Sequence, residues 1–228
     1  MSGDNDLERA WGLPGVLDFF DDARATTAQV YASEWFFLKD RLAEGMSVLD
    51  VGCAQGGFAA VLAEHLKAFD YTGLDVNADM VARARVRHPD HAFHHVPDGD
   101  WSALGEQQFD LVLVLGILHL HLGWRDTIAK AWARTKGCLL LDLREVEGAT
   151  VEDSDRSYFR MDFGGGDSRH VETTIPYVLV NAAEALASIR LLCAGARRIS
   201  HYGYLHPLSG SAVAPVREAM ANVWCIER

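Results

Sequence analysis

From residue 46 onward the chain alternates between two hydrophobic rhythms. Short apolar runs occupy Val48 to Val51, Tyr71 to Val76, Phe109 to Leu115 and Cys138 to Leu143. Runs of this length, apolar on consecutive positions, fit strands buried on both faces. Between them, apolar residues recur at helical spacing. Phe58, Val61, Leu62, Leu66 and Phe69 predict a helix over Phe58 to Ala68. Asn77 caps a second helix, which runs to about His88 and stops before Pro89. Ala92 to Val96 predicts a weak strand. Trp124 to Arg134 predicts a helix closed by Gly137. Upstream, Leu17 to Glu44 reads as one helix or two, with Phe20, Val30, Trp35, Phe36 and Leu38 as its apolar positions and Gly45 as its stop. Downstream, a helix over Tyr177 to Leu192 follows Pro176. Ile199 to Leu205 and Asn222 to Ile226 complete seven predicted strands.

Strand and helix in alternation predict βαβ units, hence an α/β fold with an open, doubly wound, mostly parallel sheet covered on both faces. Such a sheet binds its ligand beyond the strand C-termini, where the strand order reverses. The chain divides into a helical cap (1–45), a core (46–145), an insertion (146–175), and a C-terminal helix with strands (176–228). The insertion is polar and glycine-rich, with G-G-G at 164–166 and a hairpin expected on Tyr158 to Phe163. No repeat, linker or low-complexity tract appears, which predicts a single domain.

Charge narrows the partners. The net charge is -11, from 21 basic and 32 acidic residues. That disfavours nucleic acid, which needs a basic face, and anionic membranes. Arg83, Arg85, Arg87 and His88 form a local basic group that reads as a solvated helix face. The longest strongly apolar run, Leu111 to Leu118, is too short to span a bilayer. The first residues are acidic and polar, unlike a signal peptide. Cys53, Cys138, Cys193 and Cys225 form no C-x-x-C pair and read as reduced core residues, so a cytoplasmic protein without a metal site is expected. An oligomer is compatible with all of this.

The chemistry begins at V-L-D-V-G-C-A-Q-G-G, residues 48–57. A phosphate loop would need a lysine after its glycines, and none follows. A dinucleotide turn needs a bare residue where Ala54 stands, and Asp50 at the strand tip would face a pyrophosphate. S-adenosylmethionine carries an ammonium instead of phosphate, so a carboxylate here makes electrostatic sense. The segment resembles the first motif of the class I S-adenosylmethionine-dependent methyltransferases, with Ala54 where glycine is common. The resemblance covers about residues 45–143 and implies a Rossmann-like methyltransferase fold with a seven-stranded sheet.

The same resemblance implies the cofactor site. Asp50, Gly52, Cys53, Ala54 and Gly56 would form the turn under the methionine end. Asp75, followed by Val76, would take the ribose hydroxyls. V-P-D-G-D-W implies an adenine contact from Asp100 or Asp98, with Gly99 and Trp101 beside the ring. Leu115, and Ile117 to His119 after the fourth strand, would flank the sulfonium. Tyr31 would act as a lid, while Trp35 and Phe36 read as a stripe packed on the sheet. R-T-K-G-C is a shortened form of the approach to the family's fifth strand.

Methyl transfer needs an aligned acceptor and, where the acceptor holds a proton, a base. His119 is the candidate base, or else a structural histidine or part of the adenosyl pocket wall; it forms H-x-H with His121, which as half of a metal site would need carboxylates from elsewhere such as Asp142. Asp142 and Arg144 share a strand face and read as a mutual ion pair or as acceptor recognition, with the arginine taking a carboxylate or phosphate. His201, Tyr202, Tyr204 and His206 read as acceptor-pocket lining or as plain strand and turn. His94 and His95 read as an exposed turn pair. The expected function is methylation, on oxygen or nitrogen, of a small-molecule or sugar-like acceptor. The alternatives are a NAD-dependent oxidoreductase, which would also carry an acid at Asp75, and a non-catalytic S-adenosylmethionine-binding module.

Overall fold

The computed structural model describes residues 8–21, 23–97, 99–161 and 173–228. The expected long N-terminal helix is replaced by two short ones, α1 (Pro14–Phe19) and α2 (Ala32–Leu38), with a 3-10 turn at Thr27–Gln29 between them. The break has a local cause. Arg24 has φ 53°, in the left-handed region that no helix tolerates. The Gln29 side chain then accepts from the amides of Ala25 (2.8 Å) and Thr26 (3.1 Å), closing the turn.

The predicted rhythm follows: β1 (Ser47–Val51), α3 (Gly57–Ala63), β2 (Asp70–Asp75), α4 (Ala78–Arg87), β3 (Ala92–His95), β4 (Phe109–Val114), α5 (Trp124–Ala133) and β5 (Thr135–Val146). Then come β6 (Tyr158–Arg160), β7 (Thr174–Pro176), β8 (Val180–Asn181), α6 (Ala182–Leu192), β9 (Arg198–Pro207), β10 (Ala212–Val213) and β11 (Glu218–Glu227). Among the described residues the main sheet runs β3-β2-β1-β4-β5-β11-β9, with β8 beside the end of β5. The first five strands of that path are parallel, and β11 pairs antiparallel with both β5 and β9. Strand order reverses between β1 and β4.

Alternating side chains put the strands' apolar residues on both faces. Leu111, Leu113 and Leu140 meet α2, α3 and α4 through Phe37, Phe58, Val61 and Val81. Val112, Val114, Leu139 and Leu141 meet α5 and α6 through Trp124, Ile128 and Ile189. A third cluster lies apart from these layers. Val16, Leu17, Leu120, Phe159, Ile175 and Tyr177 join the N-terminal cap to a small antiparallel sheet, β10-β6-β7.

Several expectations are corrected. Gly137 does not close α5, because β5 begins at Thr135, directly after the helix. Gly137 lies where the β4–β5 register shifts, and a Cβ on it would come within 2.4 Å of the Asp110 carbonyl oxygen. The last long helix starts at Ala182 rather than Tyr177. Leu179 is bridged to Val151, and Asn181 caps the helix by accepting from the amides of Ala183 (3.0 Å) and Glu184 (3.2 Å). His94 and His95 belong to edge strand β3, not to a turn. The hairpin on Tyr158 pairs with Thr174–Pro176, while G-G-G and the remainder of 162–172 lie outside the described residues. Arg83 and Arg87 of the basic group pair with Asp21 of the cap at 3.0 and 2.8 Å. All four cysteines are free and buried. Among the described residues no helix is long and apolar enough to cross a membrane.

Candidate active site

The turn after β1 is built from strained and bare backbone. Gly52, Ala54 and Gly56 have φ of 77°, 45° and 83°. A Cβ on Gly52 would meet the Ile117 side chain at 2.5 Å, so only glycine lets the loop after β4 close over this turn. Ala54 pays for its left-handed conformation with a directed amide. That amide donates to Asp75 at 2.8 Å, and the other Asp75 oxygen accepts from the Asn77 amide at 2.9 Å. Burial pushes the Asp75 pKa up, and these amide donors pull it back. The carboxylate is fixed in direction, with acceptor capacity left on each oxygen.

Asp50 is almost wholly enclosed, yet it touches the cavity beside the turn. Burial raises its pKa to about 7, opposed by a hydrogen bond from the Tyr71 hydroxyl. Near neutrality the group therefore sits between its two protonation states. A cation arriving beside it would favour the ionised form.

The cavity holds about 750 Å³ and lies beyond the C-terminal ends of β1, β2, β4 and β5. That is the size and place of a small-ligand site. Of the residues expected there, Asp50, Gly52, Cys53, Ala54, Asp75, Val76, Gly99, Trp101, Leu115 and Tyr31 line it, as do Ile117, His119 and Arg144. Three expectations are corrected. Gly56 faces His88 and Phe93 instead, as the N-cap of α3. Asp100 turns away from the cavity and holds Ser102 through its amide (2.9 Å) and hydroxyl (2.8 Å). Asp142 lies behind the wall, not in it. Asp98 lies outside the described residues. Phe36 is half exposed and packs on the edge of the sheet, against Tyr202 of β9.

One side of the cavity is charged. Asp142 accepts from the Gly116 amide at 2.6 Å and from Arg144 Nη1 at 2.6 Å. Burial opposes its ionisation, but Arg144 and its other partners hold it below the usual carboxylate range. Arg144 in turn lies beside the phenol of Tyr177. A second pair, not anticipated from sequence, joins Arg24 to the buried Glu34 at 3.0 Å. Arg24 also reaches the Leu115 carbonyl at 3.5 Å and packs over the Tyr31 ring at 5.1 Å. Its guanidinium rests against Gly116, where a Cβ would meet it at 3.3 Å.

His119 stands between these groups, edge-on to Tyr177, with no hydrogen-bond partner on Nδ1. Burial, reinforced by Arg144, pushes its pKa down to about 3. The ring is neutral at physiological pH. Tyr177, Arg24 and Phe159 were missed from sequence. The available signal for Arg24 was that it is the lone cation between Arg9 and Lys39. Of the C-terminal aromatics, His206 lines the cavity, whereas His201 stacks on Trp224. Among the described residues no group of three His, Cys, Asp or Glu side chains is placed to hold a metal ion.

Residues 49–140 match a family model described as a methyltransferase domain. A fatty-acid O-methyltransferase from Mycolicibacterium smegmatis is 40% identical over 80 residues, which are 34% of this chain and 29% of that protein. A trans-aconitate 2-methyltransferase from Rhodopseudomonas palustris is 29% identical over 93 residues, 41% of this chain and 34% of that protein. The match thus spans about a third of the length of these curated relatives. Among solved structures, a Burkholderia thailandensis 1,6-didemethyltoxoflavin N1-methyltransferase bound to that compound and S-adenosylhomocysteine superposes with a TM-score of 0.61. It is 17% identical, and the match covers 99% of this chain and 86% of the other.

Proposed function

We propose, for a chain that belongs to the class I S-adenosylmethionine-dependent methyltransferases, that it transfers a methyl group from that cofactor to a small-molecule acceptor held in the same cavity. One observation carries the proposal. Two carboxylates, Asp50 and Asp75, flank a bare turn at the point where strand order reverses, and both touch one cavity. The donor set suits an ammonium and a ribose. It does not suit a pyrophosphate, which Asp50 would repel and for which the turn offers no lysine.

In this reading Asp50 takes the ammonium and Asp75 the ribose hydroxyls. Gly52, Cys53 and Ala54 form the floor. Val76, Gly99 and Trp101 enclose the adenine, with Tyr31 and Leu115 toward the sulfonium. The bound cofactor supplies an activated methyl group. The chain contributes position and exclusion of water. Ile117 and His119 wall the transfer point, and Arg144, backed by Asp142, faces the acceptor. Relatives named for a fatty acid, trans-aconitate and 1,6-didemethyltoxoflavin support a small acceptor. They include both O- and N-methyltransferases, so they leave the methylated atom open.

The test is calorimetric titration of the purified protein with S-adenosylhomocysteine, NAD and NADP in parallel. Binding of the first alone is expected. Asp75→Ala should weaken it about 100-fold or more, the worth of two hydrogen bonds to a charged group. Near wild-type affinity in that variant would remove the ribose assignment, and binding of a dinucleotide instead would replace the whole reading.

A further inference from the structure

We propose that the acceptor is a small carboxylate, seated on Arg144 and Arg24 and methylated on oxygen without a protein base. This rests on the methyl-transfer reading above. Beside the transfer point four charges stand in two pairs, Arg24 with Glu34 at 3.0 Å and Arg144 with Asp142 at 2.6 Å, and Arg24 also acts on Asp50. In each pair the guanidinium lines the cavity and the carboxylate does not. The surface offered to a ligand is therefore cationic, although the four groups together carry no net charge when all are ionised. Asp142 uses Arg144 Nη1. The Tyr177 hydroxyl takes another of the Arg144 N–H groups, and the donors left over keep the flat geometry that matches a carboxylate.

The other acceptor classes fit worse. An ammonium would meet two like charges. A hydroxyl or phenol would have to lose a proton, and His119 at the transfer point is poorly suited to take it, as is His121 on the same wall, whose pKa burial pushes down to about 4. His119 is buried, and both guanidinium charges act on it. Its protonated form would be a far stronger acid than any alcohol, which makes the transfer steeply uphill. A carboxylic acid is already ionised at neutral pH. Neutral His119 has one ring N–H to donate and an Nδ1 without a partner. Phe159 and Leu208, also on the wall, give an apolar acceptor body somewhere to lie.

The step balances without a proton. A lone pair on the carboxylate oxygen forms the new bond to the methyl carbon. The carbon–sulfur bond breaks, and its electron pair stays on sulfur. The products are a methyl ester and S-adenosylhomocysteine.

The experiment measures S-adenosylhomocysteine release at saturating S-adenosylmethionine with octanoate, dodecanoate and benzoate. Dodecylamine, dodecanol and phenol serve as controls. Calorimetry of the same acids against the S-adenosylhomocysteine complex accompanies it. At least one carboxylate should bind and turn over, giving a methyl group that mild alkali releases as methanol, at a rate flat from about pH 6.5 to 9. Arg144→Gln should raise the carboxylate KM about 10- to 100-fold while S-adenosylhomocysteine affinity stays within about twofold. Should that variant fail to fold, Arg144→Lys keeps the charge but not the fork and should still raise KM. Turnover of the amine or phenol with the acids inert overturns the inference. So does a rate that climbs with pH, an unchanged KM in a folded variant, or a failure of every acid to bind or react. If S-adenosylhomocysteine itself does not bind, the methyl-transfer reading falls first. If it binds and the acids fail, only the acceptor assignment falls.

Discussion

Asp50 is the residue whose chemistry the structure changes most. Its place at a strand tip before a glycine turn was legible in the sequence, because both features are local. Its protonation was not, because that depends on Tyr71, Arg24 and enclosure by distant segments. The pKa of about 7 has a direct consequence for ligand binding. An ammonium held by Asp50 prefers the carboxylate, so binding lowers the pKa and expels a proton wherever the free protein still holds one. Affinity for S-adenosylhomocysteine should rise with pH up to about 7 and then level off. Titrations in buffers of different ionisation heat should show nearly one proton released at about pH 6 and little at about pH 8.5. Asp50→Asn should abolish the release and weaken binding about 10- to 100-fold. A proton count independent of pH would remove Asp50 from the ammonium. Arg24 teaches the opposite lesson. Its partner Leu115 is 91 positions away, and no local pattern announces such a contact.

At the scale of elements, periodicity located the central strands well because β1, β4 and β5 are apolar on both faces. It failed where backbone conformation overrides pattern. The helix over Leu17 to Glu44 is cut by the positive φ of Arg24, and Leu179 to Asn181 is drawn into strand pairing before α6 can start. Gly137 was read as a helix stop, because glycine after a helical run usually is one. In the structure its role is spatial. Lys136 and Gly137 form the irregular step between Thr135, opposite Phe109, and Cys138, opposite Leu111, and the glycine faces the Asp110 backbone. A methyl group there meets a carbonyl that belongs to a paired strand and cannot rotate aside. Gly137→Ala should therefore destabilise the protein by about 1–3 kcal/mol, the usual cost of overpacking. Urea unfolding would read it as a lower midpoint at unchanged slope. Gly148→Ala, at a position with open space around it, is the control and should stay within about 0.5 kcal/mol. Equal effects in the two variants would mean that lost chain entropy, not the Asp110 contact, governs Gly137.

For the whole molecule, net charge and local charge point in different directions. The -11 balance disfavours a polyanionic partner, but it conceals a cavity wall that presents two guanidinium groups. A sum over residues has no coordinates, so the charge of a site is legible only once the fold has chosen which member of each ion pair faces inward. The same cavity joins parts far apart in the chain. Its walls come from the N-terminal cap, the turns of the main sheet and the residues around the small sheet, from Trp11 to Ser209. A ligand that fills it must therefore stabilise the fold and not merely occupy a surface. At a concentration of about 100 times Kd the gain is about 2.7 kcal/mol. For a chain of this size each kcal/mol raises Tm by about 2–4 °C. S-adenosylhomocysteine should accordingly raise Tm by about 5–10 °C, and NAD at the same concentration by less than about 1 °C. In Asp75→Ala, with affinity reduced about 100-fold, the same S-adenosylhomocysteine concentration falls near Kd and the shift should shrink to about 1 °C. A full shift in that variant would remove Asp75 from the contacts that hold the ligand.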